Sequence, residues 1–172
     1  MTTIISTIEE KYNYQEEDYG FLVFVSNSPE TKKGMYPPIM TLCDYDIQSV
    51  GSLKLSSRQL SHIAELDLTD NLISAWSEVF LLLDSFPGLE FLNLSNNILS
   101  DRISAEDIER SPIGGGKKLQ TRKFVLNGNK VDWNSVHLLT QKMPQLEQLY
   151  MSTNNLQNPD QEANNVFHHD VC

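Results

Sequence analysis

Apolar residues return along this chain at a nearly fixed interval. Ile63, Leu66, Leu68 and Ile73, with Asn71 before the last, are followed 26 residues on by Leu89, Leu92, Leu94 and Leu99 with Asn97. A third copy is Phe124, Leu126 and Val131 with Asn129, and Thr121 takes its first apolar place. The fourth is Leu146, Leu149, Met151 and Leu156 with Asn154. Steps of 26, 32 and 25 residues thus join Leu66, Leu92, Phe124 and Leu149, and the long one contains the polar segment RSPIGGGKKLQ, read as a loop inserted at 110–120. An earlier copy fits at Met40, Leu42 and Ile47, with Tyr45 where Asn stands elsewhere. The rival placement at Val50, Leu53, Leu55 and Leu60 lies only 13 residues before the next copy, too few for a strand and a return crossing.

Alternation of buried and outward positions marks a short strand with one buried face. The expected strands lie near 40–42, 66–68, 92–94, 124–126 and 149–151. Between them the period changes to helical: Trp76, Val79, Phe80 and Leu83, and likewise Trp133, Val136 and Leu139, share a face. Each helix should stop near a proline, at Phe86-Pro87 and Met143-Pro144. Strand and helix at a 20–29-residue period define an α/β leucine-rich-repeat solenoid, with parallel strands on the concave side, helices on the convex side and about five repeats over 38–156. Trp76 and Trp133 are expected in the core, because large aromatics at helical spacing are normally buried. Asn71, Asn97, Asn129 and Asn154 are expected as a structural ladder, each side-chain amide bonding backbone at the turn that leaves its strand.

Residues 1–37 read differently, as an acidic leader and amino-terminal cap, with a covering strand expected at Phe21–Val25. At the other end, 157–172 is polar and reads as a disordered tail, so the last apolar layer is expected to lie partly open. Hydrophobic residues make up 40% of the 172 and charged residues 21%, a globular balance in which a single domain can bury a core. The net charge of −10 and the lack of clustered Lys and Arg speak against nucleic acid or an anionic membrane as partner. Two cysteines, Cys43 and Cys172, make no disulfide framework, and the first residues lack the apolar run of a signal peptide. A cytosolic or nuclear setting is expected.

Catalytic and metal constellations are weak. The run GGGKK at 114–118 lacks the phosphate-loop pattern and reads as linker. His168, His169 and Cys172 supply three zinc donors where a structural site needs four. His62 and His137 have no nucleophile at motif spacing. No catalytic residue, metal or cofactor is therefore expected. What remains is the concave face, onto which the residues between the buried apolar positions project. These are Glu65, Asp67 and Thr69 in one repeat and Phe91, Asn93 and Ser95 in the next. Lys123, Val125 and Asn127 follow, then Gln148, Tyr150 and Ser152. Solenoids bind partners on such faces, and Phe91 and Tyr150 stand out as aromatic anchors.

The segments ELDLTDNLISAWSEV, FPGLEFLNLSNNIL, KFVLNGNKVDWNSVHLL and MPQLEQLYMSTNNL resemble the leucine-rich repeats of the cofactor E family of tubulin-specific chaperones, and within it the E-like branch. The opening EEKYNYQEEDY is similar to the acidic leader of that branch, and the two tryptophans, each four or five residues past an Asn, are specific to the resemblance. The resemblance covers about residues 7–156. It implies a cytoplasmic, cytoskeleton-associated protein whose partner is alpha-tubulin or the tubulin heterodimer, and which promotes heterodimer dissociation and so affects microtubule stability. The glycine-rich cytoskeleton-associated domain of cofactor E and the ubiquitin-like domain of E-like proteins have no counterpart in these residues, as expected either of a short isoform or of an incomplete reading of a longer chain, without full tubulin-dissociating activity. The competing expectations are a leucine-rich adaptor for a phosphatase or histones, and a structural fragment prone to aggregate.

Overall fold

A computed structural model describes residues 1–12, 36–51, 60–99, 102–103, 109, 119–154 and 156. The expected strand at 21–25, the loop tip at 110–118, the GGGKK run and the tail at 157–172 lie outside the described residues.

The chain forms an α/β arrangement. Five strands make one parallel sheet: β2 (Ile39–Thr41), β4 (Glu65–Asp67), β5 (Phe91–Asn93), β6 (Lys123–Val125) and β7 (Gln148–Tyr150) lie side by side in chain order. A smaller sheet pairs β1 (Thr2–Thr3) with β3 (Ile47–Ser49). The described helices are α1 (Ile4–Tyr12), α2 (Trp76–Ser85) and α3 (Trp133–Lys142). Each of the five strands begins and ends one residue earlier than the spacing indicated.

Register follows the sequence copies. Met40 pairs with Leu66, Leu66 with Leu92, Leu92 with Phe124 and Phe124 with Leu149. The long 32-residue step leaves β5 and β6 in the same register as every other pair. At each strand entry one carbonyl accepts two consecutive amides of the next strand: Pro38 from Ala64 and Glu65, Ala64 from Glu90 and Phe91, Glu90 from Arg122 and Lys123, and Arg122 from Glu147 and Gln148. Backbone groups of short strands are thereby satisfied beyond the strands themselves, as buried polar groups require.

Burial decides which face is which. Met40, Leu66, Leu92 and Phe124 are fully buried, as are Leu42, Leu68, Leu94 and Leu126 on the same side. Leu146, Leu149 and Met151 in the fourth full copy are only partly buried, as β7 is the last strand of the sheet among the described residues. Thr121, the odd polar residue at an apolar place, is 1% exposed and donates its hydroxyl to the Leu89 carbonyl at 2.9 Å. A buried hydroxyl that finds a carbonyl replaces a methyl group without an unsatisfied donor.

The asparagines form the ladder. Asn71 donates to the carbonyls of Leu42 and Leu68, and its Oδ1 accepts from the amide of Ile47 at 2.9 Å. Asn97 joins Leu68 and Leu94 in the same manner, Asn129 joins Leu94 and Leu126, and Asn154 joins Leu126 and Met151. Every asparagine reaches back one repeat as well as closing its own turn. Tyr45 is exposed instead, and its amide donates to Asn71. In the first copy no preceding turn exists among the described residues for an asparagine to reach.

Residues near the chain start cover the first repeat. Ile4, Ile5 and Ile8 of α1 are buried in the common core, and the Ile5 amide donates to the Val50 carbonyl. Thr3 and Ser6 cap this helix reciprocally, each side-chain oxygen accepting the other's amide at 3.1 Å. Ile4 and Ile8 stand four residues apart, a helical signal hidden by the charged residues that follow.

Trp133 corrects an expectation. Trp76 is 2% exposed and stacks on Phe80 one turn later, with ring centroids 6.2 Å apart. Trp133 is 38% exposed, and the place one turn later on α3 holds His137, itself exposed. Near-equivalent position in the repeat therefore does not give equal burial: α2 buries Trp76, Val79, Phe80, Leu82, Leu83 and Ser85, whereas α3 buries only Ser135 and Leu139.

Candidate interaction face

The outward positions of the strands line up as rows across the parallel sheet, because strands in register bring equivalent residues within one interstrand spacing. One row runs Glu65, Phe91, Lys123 and Gln148, and the next Asp67, Asn93, Val125 and Tyr150. Thr69, Ser95, Asn127 and Ser152 form a third row, where their carbonyls accept from Asp44, Asp70, Asn96 and Gly128. All twelve sequence-predicted face residues therefore sit on one surface. Val125 is the exception in exposure: it is buried, a short side chain in a row between Asn93 and Tyr150.

Local bonding makes part of this surface rigid. Asp67 Oδ1 accepts from the amide and hydroxyl of Thr69 at 3.0 and 2.6 Å, and Asn93 does the same with Ser95 at 3.0 and 2.7 Å. Asn127 Oδ1 accepts from the Ser152 amide at 2.8 Å, one repeat on. These residues are pinned before any partner arrives.

The centre of the face is aromatic and cationic. The Lys123 ammonium lies 5.4 Å from the Phe91 ring centroid and 5.2 Å from that of Tyr150, within reach of the negative face of each ring. Tyr150 is 44% exposed and Phe91 half-buried. On the β4 side the same face is acidic, through Glu65 and Asp67.

Ile39, 59% exposed, and Thr41 extend the rows to β2, and Cys43 stands beside them. The sequence reading left these three out, although the same spacing had placed a strand at 40–42. Lys11 adds a second clamped cation. Its ammonium donates to the Thr41 carbonyl at 2.7 Å and sits 5.7 and 5.2 Å from the rings of Tyr12 and Tyr45. Burial and the carboxylate of Asp67 push the Cys43 thiol up, which keeps it protonated at neutral pH.

Among the described residues no three of His, Cys, Asp and Glu stand where a metal would need them. His62 Nε2 bonds the Tyr36 carbonyl, and His137 Nε2 meets the Gln141 amide at 2.9 Å. Among the described residues no helix is long and apolar enough to cross a membrane.

No family profile matches the chain. A tubulin-specific chaperone cofactor E-like protein of Homo sapiens is 35% identical over 127 residues, 74% of this chain and 28% of its own length. The Caenorhabditis elegans protein of the same name is 27% identical over 92% of this chain and 36% of its own, and a tubulin-folding cofactor E of Arabidopsis thaliana is 35% identical over 67% of this chain and 20% of its own. The chain thus spans about a third or less of the length of these relatives. A solved internalin of Listeria monocytogenes overlaps 64% of this chain and 35% of its own at a TM-score of 0.34 and 15% identity, too slight a likeness to carry an argument. Over two thirds or more of its length the chain is thus homologous to the tubulin-specific chaperones of the cofactor E and E-like kind.

Proposed function

We propose that the chain is a non-catalytic protein-binding module, a leucine-rich-repeat solenoid of five repeats that engages tubulin through the exposed, concave face of its sheet. The observation that carries this reading is the ordered patch on β5, β6 and β7, where Phe91, Lys123 and Tyr150 hold one another on a rigid surface. Rigid aromatic residues at the centre of a polar rim are what interfaces use as anchors, since little conformational freedom is lost on binding. The relatives supply the partner class, since they are named as tubulin-specific chaperones. The alpha subunit within the heterodimer, promotion of heterodimer dissociation and a cytoplasmic, cytoskeleton-associated setting extend the same reading. The net charge of −10 sets it against nucleic acid and anionic membranes as partners.

Sedimentation of the purified chain with tubulin heterodimer tests it. Co-migration at micromolar concentrations, lost in a Phe91→Ala, Tyr150→Ala variant that stays folded by circular dichroism, is the expected result. Absence of co-migration removes tubulin as the partner and leaves a leucine-rich adaptor for another protein, such as a phosphatase or a histone.

A further inference from the structure

Two lysines of this chain are each clamped between two aromatic rings, and they differ in one respect. Lys11, between Tyr12 and Tyr45, donates its ammonium to the carbonyl of Thr41. Lys123, between Phe91 and Tyr150, has the two rings and no oxygen acceptor among the described residues. An ammonium near two rings is held in place and partly screened from water, so its attraction for an oxygen anion is stronger than that of a freely moving lysine. Holding it there also removes rotamer entropy that a long side chain loses on binding.

The surroundings restrict what can be placed on that ammonium. Glu65 stands in the same row as Lys123, with Phe91 between them, so the two charges are two interstrand spacings apart, roughly 10 Å. Asp67 reinforces the negative end, with one oxygen bonded to Thr69, and Lys11 lies beyond it on the β2 side. A uniformly acidic segment would meet Glu65, Asp67 and the overall charge of −10. A uniformly basic one would meet Lys123.

We propose that the row Glu65, Phe91 and Lys123 selects a partner segment that is itself dipolar, with a carboxylate seated on Lys123 and a cationic group facing Glu65. The proposal deepens the binding reading above and rests on it for the identity of the partner, but not for the chemistry recognised. Charge complementarity of this kind fixes register and excludes wrong partners more than it adds affinity.

Two arms test it. With tubulin heterodimer as partner, Lys123→Met, which keeps the stem between the rings, and Glu65→Lys each weaken binding about tenfold or more. Lys123→Arg retains it within a few-fold, since a guanidinium also stacks on aromatic faces. The second arm uses a blocked peptide of repeated Glu-Gly-Gly-Lys units, whose extended chain separates the charges by roughly 10 Å, compared by nuclear magnetic resonance with Glu-Gly-Gly-Glu and Lys-Gly-Gly-Lys peptides. The mixed peptide should shift the Lys123, Phe91 and Glu65 signals at concentrations about tenfold below the other two. Failure of the wild-type chain to bind tubulin removes the proposed function and leaves the peptide arm to decide this inference. Tighter tubulin binding by Glu65→Lys, an unaffected Lys123→Met, or equal response to the three peptides overturns it.

Discussion

The side-chain amide of Asn97 donates to the carbonyl of Leu68, twenty-nine residues earlier, at 2.9 Å, while its Oδ1 accepts the Ile73 amide at 3.0 Å. One side chain thereby satisfies buried groups of two successive turns. Asn97→Ala leaves these groups buried and unpaired, and should destabilise the fold by about 2–3 kcal/mol in urea unfolding. Asn154→Ala, at a partly exposed site, should cost about 1 kcal/mol.

Each ladder asparagine follows a residue in the left-handed backbone region: Asp70, Asn96, Gly128 and Thr153 have φ of 57°, 54°, 68° and 57°. A β-branched residue is the poorest fit there. Thr153→Gly should therefore raise stability by up to about 1 kcal/mol, as strain at the turn is relieved. Gly128→Ala should lower it, because the new Cβ would also collide with Asn96 Oδ1. Thermal melting of both variants checks the opposite signs.

The two tryptophans separate by burial. Trp76→Ala should cost about 3–5 kcal/mol, the range of a buried aromatic removed from a core, and Trp133→Ala about 1 kcal/mol. Equal losses in urea unfolding would mean that Trp133 is covered in solution.

Cys43 has a raised thiol pKa, through burial first and the Asp67 carboxylate second. A group whose folded form prefers to keep its proton contributes stability below its unfolded pKa and loses it as pH rises past that value. Stability should thus fall slightly above about pH 8.5, the ordinary thiol value. Alkylation of Cys43 at pH 8 should be slower in the folded chain than in denaturant, measured by mass spectrometry on the Cys43 peptide. Equal rates would show that the thiol is neither covered nor opposed by Asp67.

The strand positions were readable because a parallel stack imposes one register on every copy, so Leu66, Leu92 and Phe124 had to recur. Even the weak copy at Met40 was recoverable, since spacing alone chose it over Leu53. Helix α1 was not read, as Ile4 and Ile8 form a single turn's signal and no second copy exists to confirm it. The burial of Trp133 was misjudged for a related reason: periodicity reports which face a residue occupies, not whether a neighbouring element covers that face. The Lys123 clamp joins residues 32 and 27 positions apart in the chain, and only the register of β5, β6 and β7 brings them together.

Hydroxyl-radical footprinting of the chain with and without tubulin heterodimer probes the binding face most directly, since Tyr150 and Trp133 are exposed to 44% and 38% and both report oxidation. The account predicts that saturating heterodimer suppresses oxidation of Tyr150 and Phe91 and leaves Trp133 unchanged. Protection of Trp133 with Tyr150 still reactive would place the interface on the helical side and contradict it.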